Sequence, residues 1–488
     1  MKHVCLLKRL CGPVLVAVVL LLPLTAAVDS YAGATGYEDV MSGFDEKGAS
    51  AANAPAAGED EGLAGRLDLS GEATLSSVWN VAHEKPDPGQ TDYRGLSRLR
   101  ASLDLTLEAK FTDTWGGQVS GRGFYDFAYH IQGHDEFTRD VLDEYEDELE
   151  FRETYIEGKP APGLDIRAGR QLVIWGNSET FRVTDIINPL DSRDPGLVDI
   201  EDLRLPVCMI RTDYQWRNPS GYYDLTGIVI PELRFNKTPV YGNDFYPFDM
   251  SLPHEEIPGQ SFENSEYAMA LKGVFPHWDF SLYGAYYYDN ESYMEKTGVI
   301  SYPIQLPDNS VIWQTVDIYE RWHSRLWMTG LCVNYAVGDW LLKTELARSD
   351  GYQYANDDGR KSQTRGLAGV EYMGFTDTTL TLEFMQSVLN GYDHDMGEAP
   401  DYADSSRFDT AFRFTQNRMN DRLELVFVAV VMGMEAEDGL IERLSAAYDI
   451  TDAFTVTGGC IFYQDGDSVL NDNIHDNNRV FMDLTYAF

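Results

Sequence analysis

The side chains in this sequence that could do chemistry are charged, and they recur at every second position between apolar residues. Asp104 and Glu108 stand in a run where Ala101, Leu103, Leu105, Leu107, Ala109 and Phe111 alternate with Ser102, Asp104, Thr106, Glu108 and Lys110. Arg122 and Asp126 alternate in the same way with Val119, Tyr125, Phe127, Tyr129 and Ile131. Arg167, Lys343, Glu345 and Arg413 take matching positions further along, with Lys110, Arg152, Lys272, Glu383, Glu424, Arg443 and Asp483. Mixed charges on one face of alternating segments could set up a field across a water-filled enclosure. They could equally pair from wall to wall and merely brace and solvate it. A second group lies in the segment 176–206: Glu179, Arg182, Asp185, Asp191, Arg193 and Asp194, near Pro189 and Pro195. Folded inward, such a loop is a candidate constriction that selects solutes by size and charge; the alternative is an ordinary surface loop. The segment 235–263 carries Tyr241, Phe245, Tyr246, Phe248, Met250 and Leu252, which could plug a pore, catch an apolar ligand, or pack across its mouth.

Other chemistry has little support. There is no GxSxG, HExxH or P-loop, and the histidines sit beside no recognisable nucleophile motif, so an enzyme is not expected. Cys208, Cys332 and Cys460 are far apart, form no CxxC and have no metal spacing, so they read as small apolar fillers. The acidic run 140–150 and the amide-rich tract 471–478 read as solvated loops, since neither matches a calcium loop. No cofactor and no metal is expected.

Composition narrows the class. With 79 acidic against 38 basic side chains the formal charge is -41, which repels nucleic-acid backbones. It also disfavours anions at the mouth of any pore, so such a pore is expected to prefer cations. Aromatics at 12% argue against global disorder, and a mean hydropathy of -0.32 argues against a bundle of membrane helices. Residues 1–27 read as a cleaved signal peptide: Lys2, Lys8 and Arg9, then the short apolar stretch Pro13 to Leu24, then Thr25-Ala26-Ala27. Residues 28–63, rich in Ala, Gly, Glu and Asp, read as a flexible acidic leader.

From residue 64 onward the apolar period is two rather than 3.6, the signature of half-exposed strands. About eighteen such segments follow, and every second connection is tight, as at 112–114, 218–220, 276–277, 338–339, 376–378 and 419–420. The intervening connections are mostly long: 131–147, 176–206, 235–263, 291–323, 391–406 and 464–477. Short turns at one end, long loops at the other and an even strand number predict an all-β transmembrane antiparallel up-and-down barrel over 64–488, with periplasmic turns and external loops. The segment 307–323 is either one more strand or loop, so the count lies between 16 and 20. Trp115, Trp216, Trp278 and Trp340, four of nine tryptophans, sit beside tight turns, where indoles would form a girdle at the headgroup level. Glu153 and Arg170 fit their strands poorly, and a bulge near Gly169 would turn Arg170 inward.

Two resemblances add to this. Val480, Met482, Leu484, Tyr486 and Phe488 share one face at the end of the sequence, which resembles the last strand of bacterial outer-membrane proteins. The resemblance implies that Leu484, Tyr486 and Phe488 are an assembly signal read by the barrel-assembly machinery, and that outer-membrane lipid surrounds the chain. The phrase Gly169-Arg170-Gln171-Leu172-Val173-Ile174-Trp175-Gly176, continuing to Asp185-Ile186-Ile187-Asn188-Pro189, resembles the domain-of-unknown-function 1302 barrels of Gram-negative bacteria. That family often occurs beside exporters of the resistance-nodulation-division type, which implies an inner-membrane exporter as a partner. The reading is therefore a porin-like channel for passive diffusion of small solutes. The alternatives are an outer-membrane partner of an exporter of hydrophobic molecules, or a plugged barrel serving as surface scaffold or receptor. Oligomeric state is not legible.

Overall fold

The alternating segments close into one sheet. The computed structural model describes residues 66–86, 91–198, 200–248, 250–305, 310–468, 471 and 474–488. The signal segment 1–27 and the leader 28–63 lie outside them. By its contacts the chain divides into Met1–Asp68 and Leu69–Phe488, and the second unit is the barrel. Its strands are β1 (Leu67–Asn80), β2 (Gly95–Lys110), β3 (Trp115–Asp126), β4 (Asp147–Ala161), β5 (Leu164–Gln171), β6 (Val207–Asn218), β7 (Gly221–Ile230), β8 (Glu266–Val274) and β9 (Trp278–Gln305). They continue as β10 (Val311–Val337), β11 (Trp340–Tyr354), β12 (Asp357–Phe375), β13 (Thr378–Asn390), β14 (Ser406–Arg418), β15 (Leu423–Met432), β16 (Gly439–Thr451), β17 (Phe454–Gln464) and β18 (Arg479–Ala487). Each strand pairs antiparallel with the next, and β18 pairs with β1 to make an 18-stranded closed sheet. Closure leaves no free edge along the wall, the condition for a sheet to stand in lipid.

The tight turns follow from local chemistry. Asn218 Oδ1 accepts from the N–H groups of Ser220 and Gly221 at 2.8 and 3.1 Å, and Asp377, Met419, Asn420 and Gly338 take positive φ. On the outer face Leu103, Leu105 and Leu107 stay exposed while Asp104 and Thr106 between them turn inward. Indoles mark the tight-turn rim: Trp216 stacks on Tyr223, Trp278 on Phe275, and Trp340 lies against Tyr372. Trp115 lies over Gly158, its register partner, where a Cβ would come within 2.3 Å of the ring. Such an apolar outer belt with aromatic rims is the face a bilayer covers.

The strand pattern fails where the chain leaves the wall. The alternation through Phe127, Tyr129 and Ile131 predicts strand, yet β3 stops at Asp126 and α1 (Ala128–Gln132) follows. Asp126 causes the break: its carboxylate accepts from Leu99 N and Ala128 N, and only 1% of it is exposed. It caps a strand end and is not a wet lumen charge. The acidic run read as a solvated loop contains α2 (Arg139–Tyr145), which buries Val141 and Tyr145. The tract 471–478 likewise contains a helical turn that buries Ile474 and Asn477. The segment 291–323, expected as a long connection or an extra strand, is the outer part of β9 and β10. Cys332 and Cys460 are free thiols, as filler positions require.

The ladder breaks on β4 and not near Gly169: β5 pairs with both neighbours in unbroken register from Ile166 to Arg170. Val119 faces Thr154 but Gly121 faces Phe151, so β4 carries an extra residue near Arg152 and Glu153. Across the ladder Gly169 has φ +134. Arg170 then meets Glu232 and, at 3.7 Å, Glu150.

Candidate functional site

The strands β5 and β6 are joined by a segment that leaves the wall at Gln171 and returns at Val207. Asn188 pins its base. The side-chain carbonyl accepts from Val173 N at 2.8 Å, and the side-chain amide donates to Leu205 O at 2.9 Å and Gln171 O at 3.3 Å. Outgoing and returning chain are thus tied through one buried amide, which replaces the strand ladder the backbone has left. Trp175 then stacks on Tyr283 at 4.6 Å, and Tyr283 Oη accepts from Gly176 N at 3.3 Å. Gly176 has φ +82 and lies so close to Glu345 that a Cβ would stand 2.7 Å from its carboxylate.

Beyond Gly176 the segment reaches β11 and β13. The Glu345 carboxylate accepts from Asn177 N at 2.6 Å, Ser178 N at 3.0 Å and Thr184 Oγ1 at 2.9 Å. Glu383 accepts from Ser178 Oγ at 2.7 Å and Glu179 N at 3.3 Å. The Glu179 carboxylate stands 3.2 Å from Lys343 Nζ and 3.6 Å from Arg413 Nε, and Lys343 also meets Glu371 at 2.8 Å. Lys343 and Glu345, expected on the lumen face, are only 5% and 2% exposed and lie beneath this segment. Apolar packing reinforces the anchor. Val173, Trp175, Val183, Ile186 and Ile187 bury against Met209, Ile228, Ala285, Leu326 and Met328 on the inner wall. Each fully buried side chain of this size contributes about 1.5–3 kcal/mol, so the attachment does not rest on polar groups alone.

The returning half is held by charge. Arg182 donates to Asn188 O at 2.6 Å, and Asp185 stands 3.3 Å from Arg182 and 3.0 Å from Arg204. Burial pushes Arg182 below the usual guanidinium range. Asp191 pairs with Arg193 at 2.6 Å, and Arg193 also reaches Glu148 on β4 at 2.8 Å. Asp194 meets Arg98 on β2. Burial works to raise Asp194, but the charges of Arg98, Arg100 and Arg479 outweigh it and hold the carboxyl below the usual range. Tyr463 Oη on β17 donates to Pro195 O at 2.6 Å, and Leu197 buries with Val78, Ile461 and Phe481. The segment therefore touches β11, β13 and β14 on one side and β1, β2, β17 and β18 on the other. All six charged residues singled out in 176–206 are engaged.

A second inward segment is 231–265. Phe245 buries against Tyr463, Arg479 lies over its ring at 4.2 Å, and Asp244 pairs with Arg479 at 2.5 Å. Tyr246 contacts both Tyr241 and Phe248 edge-on.

Other wall charges pair with the neighbouring strand or along their own, as Arg211 does with Asp213 at 2.9 Å. Asp104 meets Arg122 at 2.7 Å and Glu157 meets Arg167 at 2.8 Å, with Tyr155 under the Arg167 guanidinium. The two readings of these charges were a transverse field and pairs spanning the lumen. Pairs between neighbouring strands brace the wall, and other pairs run between the inward segments and the wall. Glu108 remains exposed opposite Gln118. At the closure Leu484 faces Leu75, Tyr486 faces Ala73, and Phe488 exchanges two backbone hydrogen bonds of 2.9 Å with Gly71.

Sequence reasoning did not single out Gln171, Trp175, Asn188 and Glu383 as anchors. The signal for the first three was the phrase running from Gly169 to Pro189, whose residues turn out to fasten the inward segment at its base. That phrase belongs to a family: the model for DUF1302, a protein of unknown function, matches residues 14–488, and this chain is a member of it. Among solved structures it is similar to Acinetobacter baumannii OccAB3, with 14% identity, TM-score 0.48, and 86% of this chain and 99% of the other covered. It is similar also to OccAB2 of the same organism (10%, TM-score 0.49, 88% and 99%) and to a BenF-like porin of Pseudomonas fluorescens Pf-5 (10%, TM-score 0.47, 87% and 97%). No curated protein matches the chain.

Proposed function

We propose that this chain is an outer-membrane channel for passive diffusion of small hydrophilic solutes, with the segment 176–206 as its constriction and cations preferred. The observation that carries the reading is the state of the inner-wall ion pairs. Asp104 and Arg122 keep 33% and 47% of their side-chain exposure, and Glu157 keeps 47%, although all three face inward. Inward charged groups with that much free surface border open space inside the wall, and a closed eighteen-stranded wall has the width for a wet channel. The constriction reading is supported by the attachment of 176–206 to opposite sides of the wall. A segment so fastened narrows whatever passage remains beside it.

Purified protein reconstituted into planar bilayers tests this. Stepwise single-channel conductance is the expected result. A protein that inserts as a folded barrel yet passes no current would sink the channel reading and leave the plugged scaffold.

A further inference from the structure

The segment 231–265 roofs the mouth of the barrel. It springs from the outer ends of β7 and β8. At its far point Asn477 Nδ2 donates to Asp244 O at 2.9 Å, Arg479 pairs with Asp244, and Phe245 buries against Tyr463 on β17. β8 and β17 stand half-way round the eighteen-stranded ring from each other, so the segment crosses the opening. Its returning limb is fastened to β10 at 253–256. Glu256 N donates to Arg321 O at 2.8 Å, Arg321 N to His254 O at 2.9 Å, and Arg321 Nε to Pro253 O at 3.0 Å. Between these bonds the Glu255 carboxylate reaches Arg321 at 3.3 Å and His323 at 2.8 Å.

His323 stands where β9 and β10 leave the ladder of β8 and continue as a two-stranded ribbon. Arg325 faces Tyr288 but His323 faces Ser292, so 289–291 of β9 stand out of register. The Asp289 carbonyl released there accepts from His323 Nδ1 at 2.8 Å. The His323 side chain is only 1% exposed, and Phe235 stacks on its ring at 3.4 Å. A backbone carbonyl can only accept, so Nδ1 carries a hydrogen. Nε2 lies 2.8 Å from Glu255 Oε1. A hydrogen must lie between these two as well, because two bare acceptors at that distance repel. The hydrogen bond from His323 and the charges of Arg321 and His254 outweigh burial and hold the Glu255 carboxyl below the usual carboxylate range. The hydrogen therefore stays on the ring, which is a cation lying on the face of Phe235.

We propose that His323 is a pH-sensitive clasp for this roof, holding the returning limb while protonated and loosening it when the Nε2 proton passes to water. Once that proton is gone, the Nε2 lone pair faces an ionised carboxylate in a site closed to solvent, and an attraction becomes a repulsion. Arg321 keeps its hold on Glu255, so the limb loosens without detaching. The clasp is closed on the acid side and loosens as pH rises. The other charged groups around the ring are Arg321 of β10 and His254 of the limb, with Asp289 and Glu291 of β9 and Arg365 of β12. The carboxylates favour the cation, and the basic groups oppose it. The inference rests on the channel reading only for its consequence, a passage that is freer at high pH, and the clasp itself is read without current.

Hydrogen exchange of the full chain in lipid nanodiscs, at about pH 5.5 and about pH 8.5, tests it. Rates are taken relative to an unstructured amide, so that the intrinsic pH dependence cancels. Protection of the Glu256 and Arg321 amides should fall about tenfold or more from the acid to the alkaline condition, with the ladder of β10 and β11 unchanged. In Glu255→Gln the side-chain amide accepts from the charged ring and, turned over, donates to the neutral one. Its protection should stay high and change less than about twofold. His323→Phe keeps the stack without either hydrogen bond and should be poorly protected at both pH values. Asp289→Asn keeps the backbone carbonyl and should respond as the wild type does. Equal wild-type protection at the two pH values overturns the proposal, and so does high protection in His323→Phe. A response that survives in Glu255→Gln, or is lost in Asp289→Asn, overturns it too, because another group would then be the one that titrates.

Discussion

Glu345 is the residue on which the inward segment most depends. Its carboxylate accepts from two consecutive backbone N–H groups, Asn177 and Ser178, and from the Thr184 hydroxyl, at 2% exposure. Several donors converge on one buried anion, so the charge is held by the donors and the donors by the charge. Glu345→Gln keeps the size but turns one acceptor oxygen into an NH2 group facing N–H donors. The expected cost is about 2 kcal/mol for the lost charge-assisted bonds, or roughly thirtyfold in a local opening equilibrium. Hydrogen exchange should show it as faster exchange of the Asn177 and Ser178 amides with the strand ladders of β11 unchanged. Equal protection in both proteins would mean that apolar packing of Trp175 and Ile187 holds the segment without the latch. Glu345 was legible in the sequence as an inward residue, and its partner was not. Period two tells which face a strand residue takes, but nothing in it says that Gly176 approaches from β5. Of the anchors, Asn188 came nearest to legibility, through the Ile-Asn-Pro phrase.

At the scale of the strand, alternation separates two solvents, and that makes it testable. Leu105 faces outward at 39% exposure, and Thr106 beside it faces the lumen. An arginine on the lipid face costs about 2–4 kcal/mol near the bilayer midplane, whereas the wet side accepts it. Leu105→Arg should therefore lower folding stability in lipid vesicles by that amount, and Thr106→Arg should stay within about 0.5 kcal/mol. Urea titrations of the two variants in the same vesicles read the difference directly; equal losses would mean that the two faces are not lipid and water. The same physics explains which elements the sequence revealed. Most strands are legible because each divides an apolar face from a polar one, whereas Glu153 and Arg170 blur the pattern in β4 and β5. The helix Ala128–Gln132 was misread because Tyr129 and Ile131 continue the strand period, although Asp126 had already ended the ladder. The ribbon was hidden because it leaves the wall, where lipid no longer dictates its outer face.

For the molecule as a whole the question is what a charge of -41 does once the strands are placed. Inside, acidic side chains are paired locally, Asp104 with Arg122, Glu157 with Arg167, Glu179 with Lys343 and Asp194 with Arg98, and the -41 is what is left once all 38 basic residues are set against the 79 acidic ones. The excess that remains acts at longer range, as a field at the mouth that concentrates cations and thins anions. Local pairing and long-range excess make separable predictions, because salt screens the second and hardly touches the first. If the channel is open, reversal potentials across a KCl gradient should show K+ favoured over Cl- by roughly five- to tenfold at about 0.1 M salt. The ratio should fall toward about two near 1 M, where the screening length is about 3 Å. A preference that persists unchanged at high salt would place its origin in close contacts within the constriction, around Glu179 and its partners, instead of in the field of the whole molecule. An anion preference at low salt would contradict both origins.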